Sequence, residues 1–160
     1  MKSRFHKYVL AIFLFLLSTA TFAQNNDDPS LMTYDLATTA MEAAEAYARD
    51  KQWNVTILIT DQNNNPVMLR RIDGAGARTF SFATAKALVV NASGLTSGAY
   101  GAAVAAGDIE EIEGGVTFAG GVPVYRNGQI IGAIATSGVR ALQDEEVSIA
   151  GAETIGSISQ

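Results

Sequence analysis

Residues 113–138, EGGVTFAGGVPVYRNGQIIGAIATSG, carry the reading that decides the fold. Two glycine pairs, Gly114–Gly115 and Gly120–Gly121, bracket VTFA. VPVY then reads as a short strand, RNG turns the chain, and QIIGAIATSG returns as a second strand. Asn–Gly tolerates the positive φ values that a two-residue hairpin turn needs, so Arg126–Gly128 predicts an antiparallel pair. The returning strand is apolar at consecutive positions, which predicts a central place in a sheet covered on both faces. The glycine pairs suit tight turns, bulges or close backbone approach, and equally the wall of a pocket. They do not form a phosphate loop, because neither GxxxxGK[ST] nor GxGxxG is present between a strand and a helix.

Working outward, WNVTILITD (residues 53–61) and VMLRRID (67–73) flank QNNNP and predict another hairpin. Between the two hairpins, GAGAR opens a helix from about Thr79 to Asn91, and the alanine-rich, glycine-interrupted GLTSGAYGAAVAAGD follows with weaker helical character. Ahead of both, residues 33–52 place Leu36, Ala40, Ala43, Ala44 and Tyr47 at helical spacing, with Thr33 or Asp35 as cap and Glu45 paired to Arg49. QDEEVSIAGAETIGSI closes the chain as a helix with its acidic residues at the amino-terminal end, where the helix dipole favours them. Two or three strands are expected from Glu113 onward. The order is helix, hairpin, helix, helix, extended hairpin, helix, which predicts an α+β domain with an antiparallel sheet flanked by helices.

Residues 1–23 are of another kind. Lys2, Arg4 and Lys7 precede YVLAIFLFLLSTA, and TFA ends the run before Gln24. A basic start, an apolar stretch short for a bilayer and a small-residue ending describe a cleaved secretory signal, an uncleaved anchor being the alternative. The expected layout is a signal at 1–23, a flexible leader at 24–32 and one domain at 33–160. The protein is then exported, periplasmic or extracellular, with no stable membrane anchor after cleavage. The cleaved chain would keep 16 acidic against 8 basic residues, and neither histidine nor cysteine, since His6 lies in the signal. That composition argues against nucleic acid as a partner and excludes histidine acid–base catalysis, thiol chemistry and nearly every zinc or copper site.

Lys86 is the one charge in TFSFATAKALVVN, on a stripe with Thr79, Phe82, Ala83, Val89 and Val90. A lysine there must snorkel or be paired, either with a carboxylate such as Asp73 or Glu113 or with an anionic group on a ligand. Arg70 and Arg71 fall on opposite strand faces. Convergence of Arg71, Arg78 and Lys86 would make a cationic corner suited to a small carboxylate ligand. Asp108, Glu110, Glu111 and Glu113 lack calcium-loop spacing and read as a solvated acidic turn, so no metal site is expected. Ser81 and Lys86 do not have SxxK spacing, and no catalytic residue is identified. The sequons at Asn54 and Asn91 fall in expected regular structure.

The motifs RID (71–73), KA (86–87), EGGVTFAGGVPV, NGQIIGAIATSG and QDEEVSIAG stand in one order, and in this the chain resembles the GlcG/HbpS-like family of haem-degrading domains, which includes the carboxy-terminal domain of PduO-type proteins. The resemblance runs from about Asp35 to Ile155. It implies a profilin-like α/β/α sandwich with a five-stranded antiparallel sheet, assembly into a homo-oligomer, and haem as cofactor in several members. The chain departs from the pattern at Val89, where a threonine is frequent, at Ile72 within RID, and in having no histidine to serve as axial ligand after signal cleavage. Tyr34, Tyr47, Tyr100, Tyr125, Met32, Met41 and Met68 are the remaining candidates for iron. The reading is an exported, oligomeric small-ligand-binding protein whose leading ligand is haem or a related tetrapyrrole. Its expected binding set is Arg71, Asp73, Arg78, Lys86, Glu113, Gly114, Gly115, Gly120 and Gly121. The alternatives are an enzyme acting on a small organic acid or degrading haem, using Lys86, Asp73 and Glu113, and a structural oligomeric scaffold.

Overall fold

A computed structural model describes Asp28 and residues 30–159. The expected signal at 1–23 lies outside the described residues, as do 24–27 and 29 of the leader. Helix α1 (Tyr34–Asp50) starts where Thr33 Oγ1 accepts the Leu36 N–H, and it buries Ala37, Ala40, Met41, Ala44 and Ala48. The chain continues as β1 (Thr56–Asp61), β2 (Pro66–Arg71), α2 (Thr79–Ser93), α3 (Ser97–Ala106), β3 (Gly121–Arg126), β4 (Gln129–Ser137) and α4 (Ala141–Ala152). Both expected hairpins are present. The Asn–Gly turn has Asn127 at φ 51° and Gly128 at φ 74°.

All strand pairings are antiparallel, in the order β2-β1-β4-β3. The period of two along the strands splits the core into two layers. Ile57, Ile59, Val122, Val124 and Ile134 face α1 and α4, while Leu58, Ala133 and Ala135 face Ala83, Ala87 and Val90 of α2. Strand β4 is central and buried from Ile131 to Ser137, as its unbroken apolar run predicts. Each fully buried isoleucine contributes about 2 kcal/mol from removal of its surface from water. Small residues on the inner face of α2 let the helix lie close to the sheet.

The sheet has four strands among the described residues, where the resemblance implied five. Residues 107–120 form neither strand nor helix: Gly114 at φ 77° leaves extended geometry, and Gly120 at φ 127° contributes one bond to β4, its carbonyl accepting the Thr136 N–H at 2.8 Å. A Cβ on Gly115 would collide with Val89 Cγ1, so this segment crosses over α2 instead of joining the ladder. No helix among the described residues is long and apolar enough to cross a membrane.

Candidate functional site

Lys86 is fully buried, at 0% exposure. Its Nζ donates to the Thr136 carbonyl at 2.7 Å and to Asp144 Oδ2 at 2.8 Å. The helix stripe carries the stem inward, and the first turn of α4 delivers the carboxylate beside the end of β4. Asp144 is anchored in turn, since its Oδ1 accepts the Val139 N–H at 3.0 Å. Burial pulls the ammonium below its ordinary pKa of 10.5, while the bond to Asp144 and the charges of Asp144 and Glu145 oppose that shift.

Neither Asp73 nor Glu113 is the partner. Both stand exposed on loops, whereas Asp144, 58 residues from Lys86, reaches it across the end of the sheet. Gly120 makes room for this pair, because a Cβ there would overlap Lys86 Nζ and press against Asp144 Cβ at 2.8 Å. Gly121 is tight for the same reason, its Cβ position lying 3.0 Å from both Lys86 Cβ and Val90 Cγ2. The backbone at Gly120 is also tied to α4, its N–H donating to Glu145 Oε2 at 3.3 Å and its carbonyl accepting from Ser148 Oγ at 2.8 Å.

Above the ammonium lies the Phe118 ring, with its centroid 5.1 Å from Nζ. Phe118 meets Phe82 edge to face at 5.6 Å, and the Arg78 guanidinium sits 4.7 Å from the Phe82 centroid. Arg78, Phe82, Phe118 and Lys86 thus form one continuous series from solvent to core. Phe118 keeps 39% of its surface exposed and Phe80, in the first turn of α2, 49%. The arrangement offers an apolar, aromatic face with a free cation at its rim.

Arg71, the last residue of β2, and Asp73, in the loop that leads to Arg78, are both exposed, with Arg71 Nη2 donating to the Ala75 carbonyl. Glu113, Gly114 and Gly115 lie elsewhere. Gly114 and Gly115 contact Leu88 and Val89, and Leu88 is ten residues beyond Arg78, about 15 Å along the helix axis. The structure therefore links Arg78 and Lys86 through two aromatic rings, sets Arg71 at the end of β2 and Asp73 in the loop after it, and places Gly114 and Gly115 beside Leu88 and Val89, two to three residues past Lys86 and away from Arg78. Lys86, Asp73 and Glu113 do not meet as a catalytic set.

Sequence reasoning missed Phe118 and Asp144. The signal for the first was an aromatic residue held between two glycine pairs, and for the second an acidic residue at the start of a helix, which was read only as a favourable dipole contact. Among the described residues no group of three or more His, Cys, Asp or Glu is placed to hold a metal ion. A groove of about 450 Å³ opens between Leu95, Thr96, Tyr125 and Ile158; none of the expected binding set lines it, and of the iron candidates only Tyr125 does.

Comparison with known proteins follows the same elements. The family described as haem degrading protein, HbpS-like, matches residues 32–153, which run from the cap of α1 past the end of α4. The solved structure of a double mutant of Streptomyces reticuli HbpS is similar at TM-score 0.73 and 29% identity, over 79% of this chain and 88% of that one. PduOC in its heme complex is similar at TM-score 0.75 and 22% identity, covering 81% and 99%. Klebsiella pneumoniae ORFY is similar at TM-score 0.71 and 23% identity, covering 78% and 90%. The last two likenesses speak to the fold alone. No curated protein matched the chain. With every helix and strand described above inside the matched span, the chain belongs to the HbpS-like haem degrading protein family.

Proposed function

We propose that this chain is an exported, oligomeric protein that binds haem or a related tetrapyrrole on the face formed by Phe82 and Phe118. The observation that carries the reading is the half-exposed Phe118 ring, backed by Phe82 and rimmed by Arg78, which pairs an apolar surface with a free guanidinium. The family's haem-related character and the heme held by PduOC support it. Export is supported by the basic, apolar and small-residue pattern of residues 1–23. Assembly is supported by exposed apolar side chains such as Phe80 and Leu142.

The residues present fit the ring and the carboxylates of the group. Phe82 and Phe118 would hold the macrocycle, and Arg78 with Arg71 would meet propionates. For iron, no histidine or cysteine stands among the described residues. The hydroxyls of Tyr47, Tyr100 and Tyr125 are bonded to Glu146, the Ile112 N–H and the Gly94 carbonyl. Met32, Met41 and Met68 pack in the layer against α1 and Tyr34 stands on α1 itself, across the sheet from α2, so affinity on this face rests on ring packing and propionate contacts. Lys86, enclosed and paired with Asp144, supports the face from below.

Hemin titrated into the full-length chain should give a shifted, saturable Soret band, and a spectrum equal to that of free hemin would remove haem from the account. Replacing both arginines, Arg71→Ala with Arg78→Ala, should weaken binding about tenfold, the equivalent of one charge-assisted contact. Unchanged affinity would move the ligand off this face. Haem degradation is the second reading, favoured by the family's description. It requires the bound Soret band to decay when a reductant is added, faster than for hemin alone.

A further inference from the structure

Phe118 is the exposed ring of the proposed face, yet it stands on residues 107–120, which have no regular structure. The ring meets Phe82 at its edge, and the Lys86 ammonium lies 5.1 Å from its centroid. The ammonium has three N–H groups. Thr136 and Asp144 take two, which leaves the third for the ring side of the cavity. Asp144 holds the nitrogen in place through a carboxylate that is itself fixed by the Val139 N–H. A free lysine would choose among many rotamers, whereas this one is held by α4, β4 and the space left by Gly120.

We infer that Lys86 and Asp144 are positioning residues for the ligand face: the buried pair fixes the Phe118 ring and acts on the ligand only through it. The inference rests on the haem reading above and deepens it. It makes Lys86 a residue whose loss weakens binding although a ligand on the surface never touches it. A pair that served stability alone would leave affinity unchanged in any variant that stays folded.

The test uses neutral isosteres, Lys86→Met with Asp144→Asn, so that no lone charge stays buried. Hemin affinity is measured for the wild type, this double variant, Phe118→Ala, and all three substitutions together. The double variant should bind about tenfold more weakly, the scale of a desolvated cation–aromatic contact, and the triple variant should bind no more weakly than Phe118→Ala alone. Affinity equal to wild type, or losses that multiply, overturn the proposal.

A second measurement does not depend on haem. With Trp53→Phe removing the one native indole, Phe118→Trp reports on the ring directly. Its emission should shift to the red and become more accessible to acrylamide when Lys86→Met and Asp144→Asn are added. Identical spectra and quenching would mean that the pair does not set residue 118. Should wild-type protein leave hemin unchanged, the haem reading falls by itself, and the fluorescence comparison still decides the positioning role.

Discussion

Arg78 and Lys86 stand eight residues apart, at the start and in the middle of one helical segment, and both carry a positive charge in an acidic chain. Arg78 stays in solvent with its guanidinium stacked on Phe82, while Lys86 is sealed against Asp144 and Thr136. Equal charge thus yields unequal chemistry. The exposed cation is available to an anionic ligand, and the enclosed one is already neutralised by the protein itself. Removing each tests the contrast most directly. Lys86→Ala strands the Asp144 carboxylate in the interior and should cost about 3–5 kcal/mol in urea unfolding. Arg78→Ala should change stability by no more than about 0.5 kcal/mol, because a solvated side chain gives up little. Comparable losses in the two variants would erase the distinction between an internal and an external cation.

The glycines sharpen the same comparison. Gly120 borders the enclosed pair and Gly114 lies on the surface crossing, and both have positive φ. For Gly114→Ala the nearest atom to the new methyl is Leu88 Cδ2 at 3.7 Å, so the cost is backbone strain of about 1 kcal/mol. Gly120→Ala adds an overlap with the Lys86 nitrogen and Asp144 Cβ to its strain, for a total of about 2–3 kcal/mol. Thermal unfolding of the two variants should rank them in that order. Equal costs would mean that the Lys86 cavity has slack.

These positions also show what the sequence could carry. Both hairpins were legible because Asn127–Gly128 and the alternating or continuous apolar runs are local signals. The burial of Lys86 was legible as well, since a lone charge on an apolar stripe has few places to go. Its partner was not, because the 58-residue link to Asp144 exists only once α4 has packed across the end of β4. A fifth strand was expected from the family, but Gly114 adopts a left-handed φ of 77° and Gly120 makes only a single bond to β4, its carbonyl accepting the Thr136 N–H. The Phe118 face was invisible for a similar reason: Arg78, Phe82 and Lys86 follow one another at four-residue spacing along one helical segment, but Phe118 joins them from a segment 32 residues beyond Lys86.

A third cluster of charge supplies the surface counterpart to the enclosed pair and carries the smallest expected effect. Glu45 bridges Arg70 and Arg49, with its Oε1 2.6 Å from Arg49 Nη2, and the arginine side chains remain substantially exposed. The bond to Arg70, followed by that to Arg49, holds the Glu45 carboxyl below its ordinary 4.5. A carboxyl with a lowered folded-state pKa contributes stability above the ordinary value and loses it as pH falls through the folded one. Glu45→Gln should therefore cost about 1 kcal/mol or less at neutral pH, and the gap to wild type should close in acid. Added salt should close the same gap, because exposed charges are screened over about 10 Å or less at 0.1 M ionic strength and above. The deficit of Lys86→Ala should persist in salt, since its partner is out of reach of mobile ions. Unfolding curves of both variants with and without salt would separate the two kinds of ion pair, and equal salt sensitivity would show that solvent reaches Asp144.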